Sequence, residues 1–128
     1  MPTILVVDDE PSIRGLLRAA LEGNGYRLLD AADGASALQI AQRERPDLIL
    51  LDIALPGLSG LEVCRRLRAN PATAETPVLL LSGIVQAGEQ REATKAGAQG
   101  VIAKPFSPAD LVTQIEDALR QRPTVASR

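Results

Sequence analysis

Five short runs of branched apolar residues recur along the chain. Three of them, Ile4-Leu5-Val6-Val7, Leu48-Ile49-Leu50-Leu51 and Val78-Leu79-Leu80-Leu81, contain no polar residue at all. A strand with one wet face alternates apolar and polar side chains, so unbroken runs belong to strands covered on both faces, as in a parallel sheet. Arg27 to Ala31 and Gly100 to Ala103 complete the set.

Between the runs the apolar spacing changes to three and four, the period of a helix with one buried stripe. Ile13, Leu16, Leu17 and Ala20 mark the first helix, Ala37, Leu38 and Ala41 the second, and Leu61, Cys64 and Leu67 the third. A fourth, weakly amphipathic and rich in alanine, is expected over Ala87 to Ala96. The fifth carries Leu111, Ile115 and Ala118 or Leu119, and opens with Ser107-Pro108-Ala109-Asp110, a capping box with Asp in place of Glu. Strand then helix, five times over, predicts an α/β open doubly wound sheet, because parallel neighbours need helical crossovers.

With 128 residues, 45% hydrophobic and 23% charged, the chain has enough apolar content for one core and lacks the signature of disorder. Residues 1–122 read as one domain. Met1 reads as a true N-terminus, and residues 123–128, past Pro123, as a tail or the start of a linker. A net charge of -2 does not make a nucleic-acid footprint, so direct DNA or RNA binding is not expected. No apolar run approaches the roughly 20 residues that span a bilayer, and no basic leader precedes the first strand, so no membrane association and a cytoplasmic location are expected. The lone Cys64 falls in an amphipathic stretch and reads as core. With no histidine in the chain, any chemistry must rest on carboxylates, hydroxyls and lysine.

In open parallel sheets the functional crevice lies beyond the carboxyl ends of the strands. Asp8, Asp9 and Glu10 follow the first run, Asp52 the third, Ser82 the fourth, and Lys104-Pro105 the fifth. The second ends in Asp30-Ala31-Ala32 without a comparable set, as an edge strand would. If the strand order is 2-1-3-4-5, Asp8, Asp9 and Asp52 converge. Clustered carboxylates repel one another unless a cation compensates. Donors that are all oxygen favour a hard cation, and a half-open site favours Mg²⁺ over Ca²⁺. Lys104 would add a fixed positive charge and Ser82 a hydroxyl. Such a pocket is equipped to receive a phosphoryl group on Asp52. Taken singly, each of these features also reads as a solvated strand end or a turn. Their placement after four of five strands carries the argument.

The stretches Ile4-Leu5-Val6-Val7-Asp8-Asp9-Glu10, Asp52-Ile53-Ala54-Leu55-Pro56-Gly57-Leu58-Ser59-Gly60, Leu79-Leu80-Leu81-Ser82-Gly83 and Lys104-Pro105-Phe106 resemble the receiver domains of two-component response regulators, the CheY-like superfamily. The resemblance runs from residue 3 to about residue 121 and implies a flavodoxin-like fold with strand order 2-1-3-4-5. It implies Mg²⁺-dependent transfer of a phosphoryl group to Asp52 from the phosphohistidine of a sensor histidine kinase or a phosphotransfer protein. A conformational signal to a downstream protein or effector domain would follow, through the face formed by helix 4, strand 5 and helix 5. By position Asp9 would be the direct metal ligand, Asp8 a ligand through water, and the Ala54 carbonyl a further oxygen, while Ser82 and Lys104 would engage the phosphoryl group. A phosphorylation-dependent homodimer is compatible with it. Two positions depart from the family pattern: Leu55 stands where methionine is usual, and Val101 where many members carry an aromatic residue that changes rotamer.

Three other readings compete. An aspartyl-phosphate phosphatase would need a second carboxylate two residues after the nucleophile, where this chain has Ala54. The chain is therefore expected to act on itself and not as an enzyme. An interaction module working without phosphorylation would have no use for the intact acid set. A flavin-binding flavodoxin is disfavoured because only Tyr26 and Phe106 are aromatic.

Overall fold

The computed structural model describes residues 2–83 and 88–121. Strands β1 (Thr3–Val7), β2 (Arg27–Ala31), β3 (Leu48–Asp52), β4 (Val78–Ser82) and β5 (Gly100–Ala103) alternate with helices α1 (Pro11–Glu22), α2 (Gly34–Glu44), α3 (Gly60–Ala69), α4 (Glu89–Ala96) and α5 (Pro108–Gln121). The strands are all parallel, in the order β2-β1-β3-β4-β5. This is the flavodoxin-like architecture implied by the sequence.

The unbroken apolar runs are explained by two layers. Leu5, Val7, Ile49, Leu51, Val78 and Leu80 point to one face and pack with Ala37 and Ala41 of α2, Val63, Cys64 and Leu67 of α3, and Ala93 and Ala96 of α4. Ile4, Val6, Leu48, Leu50, Leu79 and Leu81 point to the other and pack with Leu17 and Leu21 of α1 and Leu111, Ile115 and Ala118 of α5. Burying one such leucine contributes about 1.5–3 kcal/mol, so the alternating faces make the central strands the most strongly held part of the fold.

Local signals set the helix starts. The side chains of Asp33, Ser59 and Ser107 accept from the main-chain N–H of Ser36, Glu62 and Asp110 at 2.8, 3.3 and 3.2 Å, capping α2, α3 and α5. Pro11 opens α1 without a side-chain cap. The predicted elements shift in detail. β3 and β4 each take in one polar residue more than expected, Asp52 and Ser82. α4 begins at Glu89, whereas the expected start, Ala87, lies outside the described residues, as does the tail at 123–128. Leu16, placed in the buried stripe of α1, is instead 59% exposed. The buried residues of α1 are Leu17 and Leu21, one turn apart, and Leu16 sits about 100° around the helix from Leu17. Cys64 is fully buried, and burial pushes its thiol pKa up, as a packing residue requires.

Candidate functional site

Every candidate side chain leaves the carboxyl end of a strand. The register pairs Val7 with Leu51 and Leu51 with Leu80, so the ends of β1, β3 and β4 lie side by side. Asp8 follows β1 directly and Asp52 ends β3. Both are buried, with Asp8 at 0% and Asp52 at 3% exposure.

Lys104 comes from the end of β5 and joins them. Its Nζ lies 3.0 Å from Asp8 Oδ2 and 3.2 Å from Asp52 Oδ2. The peptide between Lys104 and Pro105 is cis, and the Lys104 N–H donates to the Ser82 carbonyl at 2.7 Å, which ties β5 to the end of β4. The remaining carboxylate oxygens are held by main-chain donors: Asp8 Oδ1 accepts from Glu10 N at 2.9 Å, and Asp52 Oδ1 from Ala54 N at 3.1 Å.

The loop after β3 is pressed onto the strand by α3. Gly60 N donates to the Ile53 carbonyl at 2.8 Å. A Cβ on Gly60 would lie 2.3 Å from the Asp52 carbonyl oxygen, so only glycine lets α3 start this close to the strand end. Ser82 is buried one residue beyond the Leu81 that pairs with Asp52.

The electrostatics follow from this crowding. Burial and the neighbouring charge of Asp8 raise the Asp52 pKa above the ordinary carboxylate value, and Lys104 offsets them only in part. Burial alone would lower the Lys104 pKa, but its hydrogen bonds to Asp8 and Asp52 outweigh it and the ammonium is held above its usual range. The pocket thus keeps a firmly charged lysine beside a carboxylate that ionises at a cost.

Asp9 and Glu10 are exposed at the rim, where their carboxylates and that of Asp8 come within 4.8 Å of one another. Asp8 and Asp52 meet at Lys104, as expected, and Asp9 clusters with Asp8 and Glu10. Glu10 belongs to the same acidic run but had been given no role. The donor chemistry fits a hard divalent cation: oxygen donors only, and four acids at the pocket against Lys104, the only cation ion-paired with any of them among the described residues. Arg14, which the apolar spacing of α1 did not single out, donates from Nη1 to the Asp8 carbonyl at 2.6 Å. Its signal in the sequence was its place in the first turn of a helix that starts three residues after Asp8.

Comparison with known proteins agrees with this geometry. The family described as the response regulator receiver domain matches residues 4–116. The chain is 40% identical over 119 residues to the phosphate regulon transcriptional regulatory protein PhoB of Pseudomonas aeruginosa, covering 93% of this chain and 52% of that protein. It is 42% identical over 118 residues to the alkaline phosphatase synthesis transcriptional regulatory protein PhoP of Bacillus subtilis, covering 92% and 48%. The chain spans about half the length of the curated relatives it matches. Among solved structures, the chemotaxis protein CheY4 of Vibrio cholerae superposes with a TM-score of 0.89 at 34% identity, covering 92% of this chain and 98% of that one. The receiver domain of a sensor histidine kinase of Pseudomonas aeruginosa, solved with a magnesium ion coordinated in its active-site cleft, gives a TM-score of 0.87 at 32% identity, covering 94% and 98%.

Proposed function

The chain belongs to the response regulator receiver domains of two-component signal transduction, and from that premise we propose that it is a phosphorylation-controlled switch whose acceptor is Asp52. The observation that carries this reading is the Asp52 carboxylate itself, buried at the end of β3, next to Asp8, and held between Lys104 Nζ and Ala54 N.

An oxygen of the Asp52 carboxylate attacks the phosphorus of a phosphohistidine on a partner kinase or phosphotransfer protein. The new P–O bond forms as the P–N bond breaks, and the imidazole leaves with a proton taken from solvent. Lys104 and the Ala54 N–H keep the carboxylate oriented, and the Lys104 ammonium faces the charge that gathers on the phosphoryl oxygens. Ser82 donates its hydroxyl to one of those oxygens. Asp9, Asp8, Asp52 and the main-chain oxygen of Ala54 would hold Mg²⁺, which when bound neutralises charge on both acceptor and donor. In our reading the chain turns over no separate substrate.

The output passes through the face of α4, β5 and α5 to a partner protein, to a second copy of the chain, or to an effector domain such as the rest of the longer relatives would supply. Val101 of β5 is half-buried against the α2–α4 layer and has no ring to swing. We therefore assign the response to the segment from Ser82 to Gly88 and to α4; residues 84–87 of that segment lie outside the described residues.

Intact mass after incubation with acetyl phosphate and Mg²⁺ tests the acceptor. Wild type should gain about 80 Da, one phosphoryl group in place of a proton, and Asp52→Asn should gain nothing. An undiminished adduct in the variant would refute the assignment.

A further inference from the structure

The two acids that follow β1 are held in different ways. The Asp8 carboxylate is fixed by Glu10 N and Lys104 Nζ. The Asp9 carboxylate is exposed and, among the described residues, has no hydrogen-bond or ion-pair partner. Whatever orients Asp9 must act through its main chain.

Arg14 is placed to do this. Its Nη1 donates to the Asp8 carbonyl at 2.6 Å, a charge-assisted bond of roughly twice the strength of a neutral one. Because the peptide unit is planar, the Asp8 carbonyl and the Asp9 N–H turn together. Holding that oxygen sets ψ of Asp8 and φ of Asp9, and with them the direction of the Asp9 side chain. The guanidinium is itself braced from the edge strand: Arg14 Nε lies 3.8 Å from Asp30 Oδ2, and Arg18 Nη2 holds Asp30 Oδ1 at 3.0 Å. The base is rigid, since α1 is anchored by fully buried Leu17 and Leu21. A planar fork reaches a carbonyl and a carboxylate at once, which a lysine ammonium on a flexible stem does not.

We propose that Arg14 is a positioning residue that aims the Asp9 carboxylate into the pocket, with Asp30 as its brace. The inference rests on the reading of Asp9 as a ligand of a divalent cation and extends that site to the β2 edge of the sheet.

The test uses the full chain without phosphodonor. Mg²⁺ is titrated to saturation while amide shifts are followed, and the three-bond HN–Hα coupling of Asp9, which reads φ, is measured before any Mg²⁺ is added. Arg14→Met should weaken Mg²⁺ binding about tenfold, the usual effect of removing a group that orients a metal ligand, and should change the Asp9 coupling in the metal-free chain. Arg14→Lys should restore little of either. In an Asp9→Asn background, Arg14→Met should cause no further loss of affinity, because its effect runs through Asp9. Additive losses would overturn the proposal, as would lost affinity with an unchanged Asp9 coupling, or unchanged affinity in Arg14→Met when Asp9→Asn binds more weakly. Should Asp9→Asn bind Mg²⁺ as wild type does, the reading of the cation site fails first and this inference with it. If Arg14→Met does not fold, Arg14→Gln is read by the same quantities.

Discussion

At the scale of single residues, the pocket holds Asp52 at a cost to the fold. Its folded-state pKa lies above the ordinary 3.8, because burial and Asp8 outweigh Lys104. A carboxyl with a raised folded pKa takes up its proton on folding, so its contribution to stability is present below the ordinary value and is lost as pH rises through the folded value. Asp52→Asn imitates the neutral form, and its amide oxygen still accepts from Ala54 N. In urea titrations with EDTA, the variant should be more stable than wild type at pH 7, and the difference should shrink to nothing as pH falls below the ordinary carboxylate range. A variant less stable than wild type at pH 7 would show that the bond to Lys104 outweighs the burial of the charge.

Among the elements, α4 is held by small side chains: Gly88 provides no side-chain cap, and its buried residues are the alanines Ala93 and Ala96. Its far end is held by Arg68 of α3. The half-buried guanidinium donates from Nε to the Gly97 carbonyl at 2.9 Å, from Nη1 to the carbonyls of Thr76 at 2.7 Å and Thr73 at 3.3 Å, and from Nη2 to Gln99 Oε1 at 3.3 Å. Gln99 Oε1 also accepts from Val78 N at 2.7 Å, and the Gly97 backbone, at φ 96°, lies against the arginine stem. Burial lowers the Arg68 pKa, yet these acceptors keep the cation solvated by the protein. Arg68→Met should therefore cost about 2–3 kcal/mol, since bonds to a charged group contribute about 1.5–3 kcal/mol each and several of the freed carbonyls regain water. A loss below about 0.5 kcal/mol would place it among ordinary surface changes. In hydrogen exchange with and without beryllofluoride, a phosphoryl mimic, wild type should change protection at the start of α4 and not at Ala98 and Gln99. In Arg68→Met the change should spread to those two amides. Equal spread in both proteins would mean that Arg68 does not confine the movement.

For the whole molecule, neighbouring residues of one strand serve opposite layers. Leu50 packs with α1 and α5, and Leu51 with α2, α3 and α4, and both are fully buried. A sheet shared in this way should make the layers unfold together. Leu51→Ala should cost about 2–5 kcal/mol. Although Tyr26 packs in the other layer, its fluorescence transition in urea should move as far as the circular-dichroism transition. Separate midpoints would show two cooperative units. None of the described helices is long and apolar enough to cross a membrane.

The sequence by itself determined what depends on local order. Unbroken apolar runs require strands covered on both faces, the three-and-four spacing requires helices between them, and Ser107-Pro108 starts a helix wherever it is packed. It also placed Asp8, Asp52, Ser82 and Lys104, because a strand's carboxyl end is a property of the chain and polar groups directly after buried runs stand out. Tertiary structure decided what depends on distance between segments. That Lys104 Nζ meets both Asp8 and Asp52, 96 and 52 positions earlier in the chain, follows from the strand order. The exposure of Leu16 depends on which stripe of α1 meets the sheet, and apolar content does not specify a rotation. The contacts of Arg14 and Arg68 were not legible for a related reason: an arginine in a helix reads as a solvated surface residue, and only packing brings its guanidinium to carbonyls it does not neighbour in sequence, so that the place of Arg14 in the first turn after Asp8 was its sole sequence signal.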